Sequence, residues 1–242
     1  MDQHIRTQML IGQEAMEKVR DAHIAVFGLG GVGSWAVEAI ARAGVGYITL
    51  VDNDSISITN INRQLPALHS TVGMDKTEVL RQRILDINPE CKVECKNEFF
   101  SAQTCSGWYF SGYDYIVDAI DTVKSKLLLI ELAAAVNTPI ISCMGMGNRL
   151  DPTKITVSDI SKTSYDGLAR VMRKELKKRG IPKLKCVWST EESVEPEHCD
   201  EPLPEGCSRR SLPGSISFVP SAAGLIIAGE VIRDICGITR KM

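Results

Sequence analysis

Residues 23–43 read HIAVF, then GLGGVG, then SWAVEAIARA. A five-residue apolar run, a glycine-rich turn and a segment with apolar residues at helical spacing predict strand, tight turn and helix. The next apolar run, YITLV at 47–51, ends on Asp52 and completes a βαβ unit. Its two strands are expected to be parallel, because the crossover helix covers one face of the sheet they form.

The same alternation continues outward. Residues 75–88 (DKTEVLRQRILDIN) read as a helix with an acidic cap at Asp75, stopped by Pro89, and a strand is expected near 92–96. YIVDAI at 115–120 is a strand interrupted by Asp118, 123–136 a helix, and PIISCM at 139–144 another strand. The fold class is therefore α/β, a Rossmann-like, doubly wound, mostly parallel sheet with a less regular C-terminal portion. In that portion 154–159 reads as a strand and 165–179 as a helix. The acid- and proline-rich stretch from 191 to about 213 reads as a mobile loop, 215–219 as a strand, and Pro220 as the opening of the final helix. We expect one domain over 1–242, with a nucleotide-binding half (1–150) and a substrate and crossover half (151–242).

Composition narrows the classes. A chain of 242 residues, 44% hydrophobic and 24% charged with net charge −2, is neither disordered nor a general nucleic-acid coat. It can bury roughly 70% of its unfolded surface without a disulfide or metal staple. The N-terminal segment mixes charges into its apolar positions, which argues against a secretory signal and for a cytoplasmic protein. Residues 218–235 carry Glu230, Arg233 and Asp234, so they read as a packed helix without stable membrane insertion. The eight cysteines include no CxxC pair, and no zinc site is expected.

Glycines at 28, 30, 31 and 33 leave backbone N–H groups free to face a phosphate at the positive end of the following helix. Asp52, at the next strand end, would accept the ribose hydroxyls. The turn alone most often means a nicotinamide or flavin dinucleotide, as in an NAD-dependent oxidoreductase. The loop from Asp54 through Asn60 and Arg63 to Gln64 argues for phosphate chemistry instead: Arg63 can fork onto a phosphate, Asn60 can donate, and Lys76 opens the next helix as another cation. Hydride transfer has little use for such a set, whereas breaking an α–β phosphate bond needs charge compensation. Asp121, at the carboxyl edge of the sheet, could hold Mg2+ carried by a nucleotide, or cap the helix at Val123.

GLGGVG, VDNDSISITNINRQ, Lys76 and VDAIDT together resemble the ThiF/MoeB superfamily of ubiquitin-activating and sulfur-carrier-adenylating enzymes. The resemblance implies binding of ATP with Mg2+ and formation of an acyl-adenylate. It implies roles for Asp52 at the ribose, for Asn60, Arg63 and Lys76 at the phosphates, and for Asp121 at the metal and reacting centre. It implies a homodimer in which Arg6, within RTQMLIGQEAM, reaches the partner's nucleotide. Within the superfamily, Arg6-Thr7, residues 187–191 (VWSTE) and residues 214–220 (GSISFVP) are most similar to the branch that dehydrates threonylcarbamoyladenosine in tRNA. Adenylation of a carrier protein's C-terminal glycine is the competing branch, many of whose members carry paired CxxC motifs. The resemblance leaves room for a structural monovalent cation and for a sulfur-relay protein partner.

The segment 170–185 holds eight bases against Glu175. Arg170, Arg173, Lys174, Lys177, Lys178 and Arg179 are candidate tRNA contacts if they follow an RNA backbone, or a solvated face if they do not. Cys186, Cys199 and Cys207 are candidate nucleophiles, because related enzymes use a loop cysteine. Nearby acids should raise their thiol pKa values and blunt them. Cys143 and Cys236, Trp35 and Trp188 read as packing residues.

Overall fold

The computed structural model describes residues 2–197 and 213–238. The chain begins with two helices, α1 (Ile5–Ile11) and α2 (Gln13–Asp21), and then alternates: β1 (His23–Phe27), α3 (Gly33–Ala43), β2 (Tyr47–Val51), α4 (Lys76–Ile87), β3 (Lys92–Lys96), β4 (Tyr115–Asp118), α5 (Val123–Ala135) and β5 (Ile140–Cys143). The remainder supplies β6 (Ile155–Asp159), α6 (Gly167–Lys178), β7 (Lys185–Ser189) and α7 (Phe218–Cys236). One seven-stranded sheet joins strands from both halves of the chain in the order β3-β2-β1-β4-β5-β7-β6. Every neighbour pair is parallel except β6 with β7.

The period-2 alternation of β1 divides the core. Ile24 and Val26 face a layer built with Ile40 of α3 and Ala223 and Ile227 of α7. Ala25 and Phe27 face Phe100, Phe110 and Leu129 on the opposite side. A further cluster joins Leu127 of α5 to Met172 and Leu176 of α6 and to Trp188 of β7. The strand order reverses between β1 and β4, and loops diverge there at the carboxyl edge, the usual ligand position of an open α/β sheet.

Several expectations need correction. Residues 215–219 form no strand: α7 already starts at Phe218, with Pro220 inside its first turn, where a missing N–H costs nothing. The edge pair contains β7, which was not anticipated; KCVWS is short and begins on a charge, giving neither a long apolar run nor clean alternation. Strand β4 stops at Asp118 because that carboxylate accepts the Ile120 N–H and turns the chain. Asp75 precedes α4 without a side-chain cap, its Oδ2 accepting instead from Asn97 Nδ2 at 2.8 Å. The ends of the 191–213 stretch are tied to Asn148 through Val194 and Gly214, and residues 198–212 lie outside the described residues. No helix among the described residues is long and apolar enough to cross a membrane.

Candidate functional site

A cavity of about 1000 Å³ opens at the carboxyl ends of β1, β2, β4 and β5. The glycine turn forms one wall. Gly28 has φ +86°, and a Cβ on Gly33 would lie 1.8 Å from the Gly28 carbonyl oxygen, so strand and helix can meet this tightly only without side chains. Gly28, Gly30 and Gly31 line the cavity, while Gly33 sits behind them as the first residue of α3.

Asp52 stands at the end of β2. Its Oδ2 accepts the Leu29 N–H at 2.6 Å and its Oδ1 the Asp54 N–H at 2.9 Å, which ties the glycine turn to the loop after β2. Lys76, almost fully buried, places Nζ 2.7 Å from Asp54 Oδ2 and 3.6 Å from Asp52 Oδ1. One cation is thus held between two acids on the cavity wall.

Between them, Ile58–Asn60 form a single 3-10 turn in which Asn60 Oδ1 accepts the Ser57 N–H at 3.1 Å, leaving the Asn60 Nδ2 donor for the cavity. Arg63 follows. Trp35 Nε1 donates to its carbonyl at 3.2 Å, and its Nη1 donates to Thr59 O and Asn62 Oδ1, both at 2.9 Å. Burial lowers the Arg63 pKa from its ordinary value, yet a guanidinium starts so high that it stays charged at neutral pH. It has no carboxylate partner among the described residues, so the cavity wall presents an uncompensated positive charge. Gln64 is also buried, and its Oε1 lacks a hydrogen-bond partner. Buried polar atoms without a partner are rare in folded proteins.

Asp121 lies across the cavity, with Thr122 Oγ1 3.4 Å from its Oδ1. The helix cap at α5 is Thr122, so Asp121 is not the cap residue. Beneath it lies a network that sequence reasoning missed. Lys126 and Asp118, both fully buried, pair at 2.9 Å; Lys126 Nζ also donates to Ile120 O at 3.0 Å and Cys143 O at 2.9 Å, and Ser142 Oγ donates to Asp118 Oδ2 at 2.6 Å. Every donor of the ammonium is used, and the two loops that floor the cavity are locked together. On α5 this lysine reads as an ordinary helix charge, and the one hint in the sequence was an acid inside the apolar strand Tyr115–Asp118. Phe99 and Phe100, just past β3, add an apolar wall that was likewise not foreseen.

A model of the ThiF family matches residues 2–242. The chain belongs to the ThiF family. It is similar to the tRNA threonylcarbamoyladenosine dehydratase of Bacillus subtilis (strain 168), 42% identical over 241 residues and covering 97% of this chain and 95% of that one. The Escherichia coli (strain K12) protein of the same name is 43% identical over 199 residues, 79% of this chain and 74% of its own. Structures of the E. coli dehydratase in complex with ATP and with AMP superpose with TM-scores of 0.84 and 0.86, at 36% and 37% identity, each covering 97% of this chain and 94% of that one.

The remaining candidates of this ThiF-family chain lie away from the cavity. Arg6 is exposed on α1 and does not line this chain's own cavity. The bases near α6 do not form one face. Arg173 turns in to Thr163, and Lys178 and Arg179 are engaged by Glu175, with Arg179 also 2.8 Å from Glu131. Arg170, Lys174 and Lys177 remain exposed without a carboxylate partner among the described residues. Cys186 is corrected as a nucleophile: it is buried in β7, burial pushes its thiol up to about 12, and its Sγ meets Ser158 O at 3.4 Å. Cys199 and Cys207 fall outside the described residues. Trp188 is buried with Nε1 on Ser158 Oγ at 2.9 Å, a packing role.

Proposed function

We propose that this chain performs the ATP-dependent dehydration of threonylcarbamoyladenosine in tRNA by way of an acyl-adenylate. The observation that carries the reading is the half-buried Arg63 guanidinium, held without a carboxylate partner among the described residues, in a chain that matches named dehydratases over nearly its whole length. Hydride transfer by an NAD-dependent oxidoreductase develops no charge on phosphate oxygens and would have little use for that guanidinium.

ATP fits the cavity in chemistry and size, with the glycine turn and Arg63 toward the phosphates and Asp52 toward the ribose. A carboxylate oxygen of the threonine moiety attacks the α-phosphorus, and the α–β P–O bond breaks to release pyrophosphate. An atom of the substrate's own carbamoyl group then attacks the activated acyl carbon, and AMP leaves carrying the oxygen formally lost as water. Arg63 and Lys76 compensate the charge that develops on the phosphate oxygens. No protein nucleophile is needed. Asp121 is the carboxylate that suits Mg2+, which takes one or two acids with phosphate oxygens and supplies further charge neutralisation when bound. We assign Arg6 to the nucleotide site of a second protomer, since it does not line its own, and this makes the active form a homodimer in the cytoplasm. A structural monovalent cation and a sulfur-relay partner belong to the same reading.

The deciding assay incubates the protein with ATP, Mg2+ and tRNA bearing threonylcarbamoyladenosine, then weighs the digested nucleosides and measures AMP. The expected result is loss of one water from the modified nucleoside with matching AMP. AMP without a change in the tRNA would shift the substrate to a carrier protein's C-terminus, and neither product would overturn the reading.

A further inference from the structure

Tyr165 combines features that neither the core nor the cavity explains. The residue is 63% exposed, yet its backbone sits at φ +51°, a left-handed conformation that a bulky residue adopts only when its surroundings impose it. Arg149 holds this turn from one side. This guanidinium is buried, donates Nη2 to the Tyr165 carbonyl at 2.8 Å, and has no carboxylate partner among the described residues, its Nε and Nη1 remaining without hydrogen bonds. A buried charge spent on one loop carbonyl is a poor stabilising device. It does hold in place the backbone from which the exposed ring projects.

The main chain that carries the ring is also tied to the cavity wall. The next residue, Asp166, accepts the Gly145 N–H of the cavity wall with Oδ2 and caps α6 by accepting the Ala169 N–H with Oδ1, both at 2.9 Å. Leu168, in the first turn of α6, lines the cavity itself. From there Arg170, Lys174 and Lys177 follow at i, i+4 and i+7, one stripe of exposed cations over about 10 Å of helix rise. Along the chain the order is exposed Tyr165, cavity-lining Leu168, then the row of unneutralised cations.

We infer that Tyr165 is a stacking platform for a base flanking the reacting adenosine, and that Arg170, Lys174 and Lys177 track the phosphates of the same single strand. The inference rests on the tRNA reading above and adds a recognition element to it. Unstacked loop bases are read by aromatic faces, and the adjoining backbone by cations, which is the chemistry this surface offers. The cations that face Glu175, Glu131 and Thr163 are excluded from the track.

The test measures kcat and KM for modified tRNA, and KM for ATP, in Tyr165→Ala, Tyr165→Phe and the triple variant Arg170→Ala/Lys174→Ala/Lys177→Ala. For Tyr165→Ala we expect KM for tRNA to rise about tenfold or more, with kcat at saturation and KM for ATP retained. Tyr165→Phe keeps the π-face and should restore the wild-type KM. The triple variant should flatten the dependence of log KM on log salt by about 2, the share of three phosphate contacts on a single strand. Wild-type KM in Tyr165→Ala together with an unchanged salt slope in the triple variant would overturn the inference and leave the face to a protein partner. Failure of the wild-type protein to dehydrate the tRNA at all would instead overturn the tRNA reading.

Discussion

At the scale of single residues, charge and shape at the cavity wall can be separated by substitution. Arg63→Ala removes an uncompensated guanidinium together with its two hydrogen bonds to Thr59 and Asn62, while Trp35 still holds the backbone carbonyl of the turn. Steady-state kinetics should show kcat/KM for ATP lower by about 10²- to 10³-fold, the usual loss for one donor to a developing oxyanion. A thermal melt without ligand should fall by no more than a few degrees, the share of two part-exposed hydrogen bonds. Gly33→Ala behaves differently, because the new Cβ would strike the Gly28 carbonyl and something must move. We expect a loss of about 1–3 kcal/mol in unfolding free energy and no upward shift of Tm on adding ATP. The glycine turn, Asp52, Arg63 and Lys76 were legible in the sequence because each follows a strand end or opens a helix, where side chains reach a sheet-edge cleft. The Arg149–Tyr165 contact was not, since nothing local marks an arginine as buried or a tyrosine as left-handed.

At the scale of elements, the Asp118–Lys126 pair couples β4, α5 and β5 beneath the cavity. Lys126→Met strands a buried carboxylate, and equilibrium denaturation should show a loss of about 3–5 kcal/mol. Adding Asp118→Leu, which removes the orphaned charge, should recover part of it; no recovery would mean that the pair is not the source of the loss. The central strands were readable as apolar runs bounded by turn residues, and the helices between them by their spacing. The edge of the sheet was not. Strand β7 is five residues starting on Lys185, and the apolar ISFV before Pro220 mimics a strand although Phe218 already begins α7. Helices α1 and α2 escaped notice because they are short, and α1 has no buried residue to impose a period on its sequence.

At the scale of the whole molecule, buried acids and thiols set how the protein meets pH and oxidants. Burial alone would raise Glu38, but hydrogen bonds from Arg83 and Arg42 outweigh it and hold the carboxyl below its usual range. Glu230 has the same balance, with Lys185 and Arg233 as partners. A depressed native pKa adds stability above the unfolded value near 4.5 and loses it as pH falls through the lower native value. Tm should therefore hold steady from neutral pH to about 5 and drop below about 4.5, less steeply in Glu38→Gln than in the wild type. Burial also raises the Cys143 and Cys186 thiols to about 12. Mass-spectrometric mapping after iodoacetamide should find both unmodified in the native protein and alkylated after unfolding; rapid native labelling of Cys186 would contradict its buried placement.

The last helix reaches back to the first turn. A Cβ on Gly31 would lie 3.2 Å from Pro220 Cβ, and one on Gly224 would lie 2.4 Å from the Val32 carbonyl oxygen, so the start of α7 is pressed against the glycine turn. Residues some 190 positions apart thus form one wall. During synthesis the turn leaves the ribosome early, but a nascent chain that ends before α7 lacks the Pro220 part of the cavity wall and leaves an apolar face over Val37 and Ile40 uncovered. The glycine turn therefore gains its backing only once α7 has been made, and a chain cut short of it keeps that apolar face open to proteases.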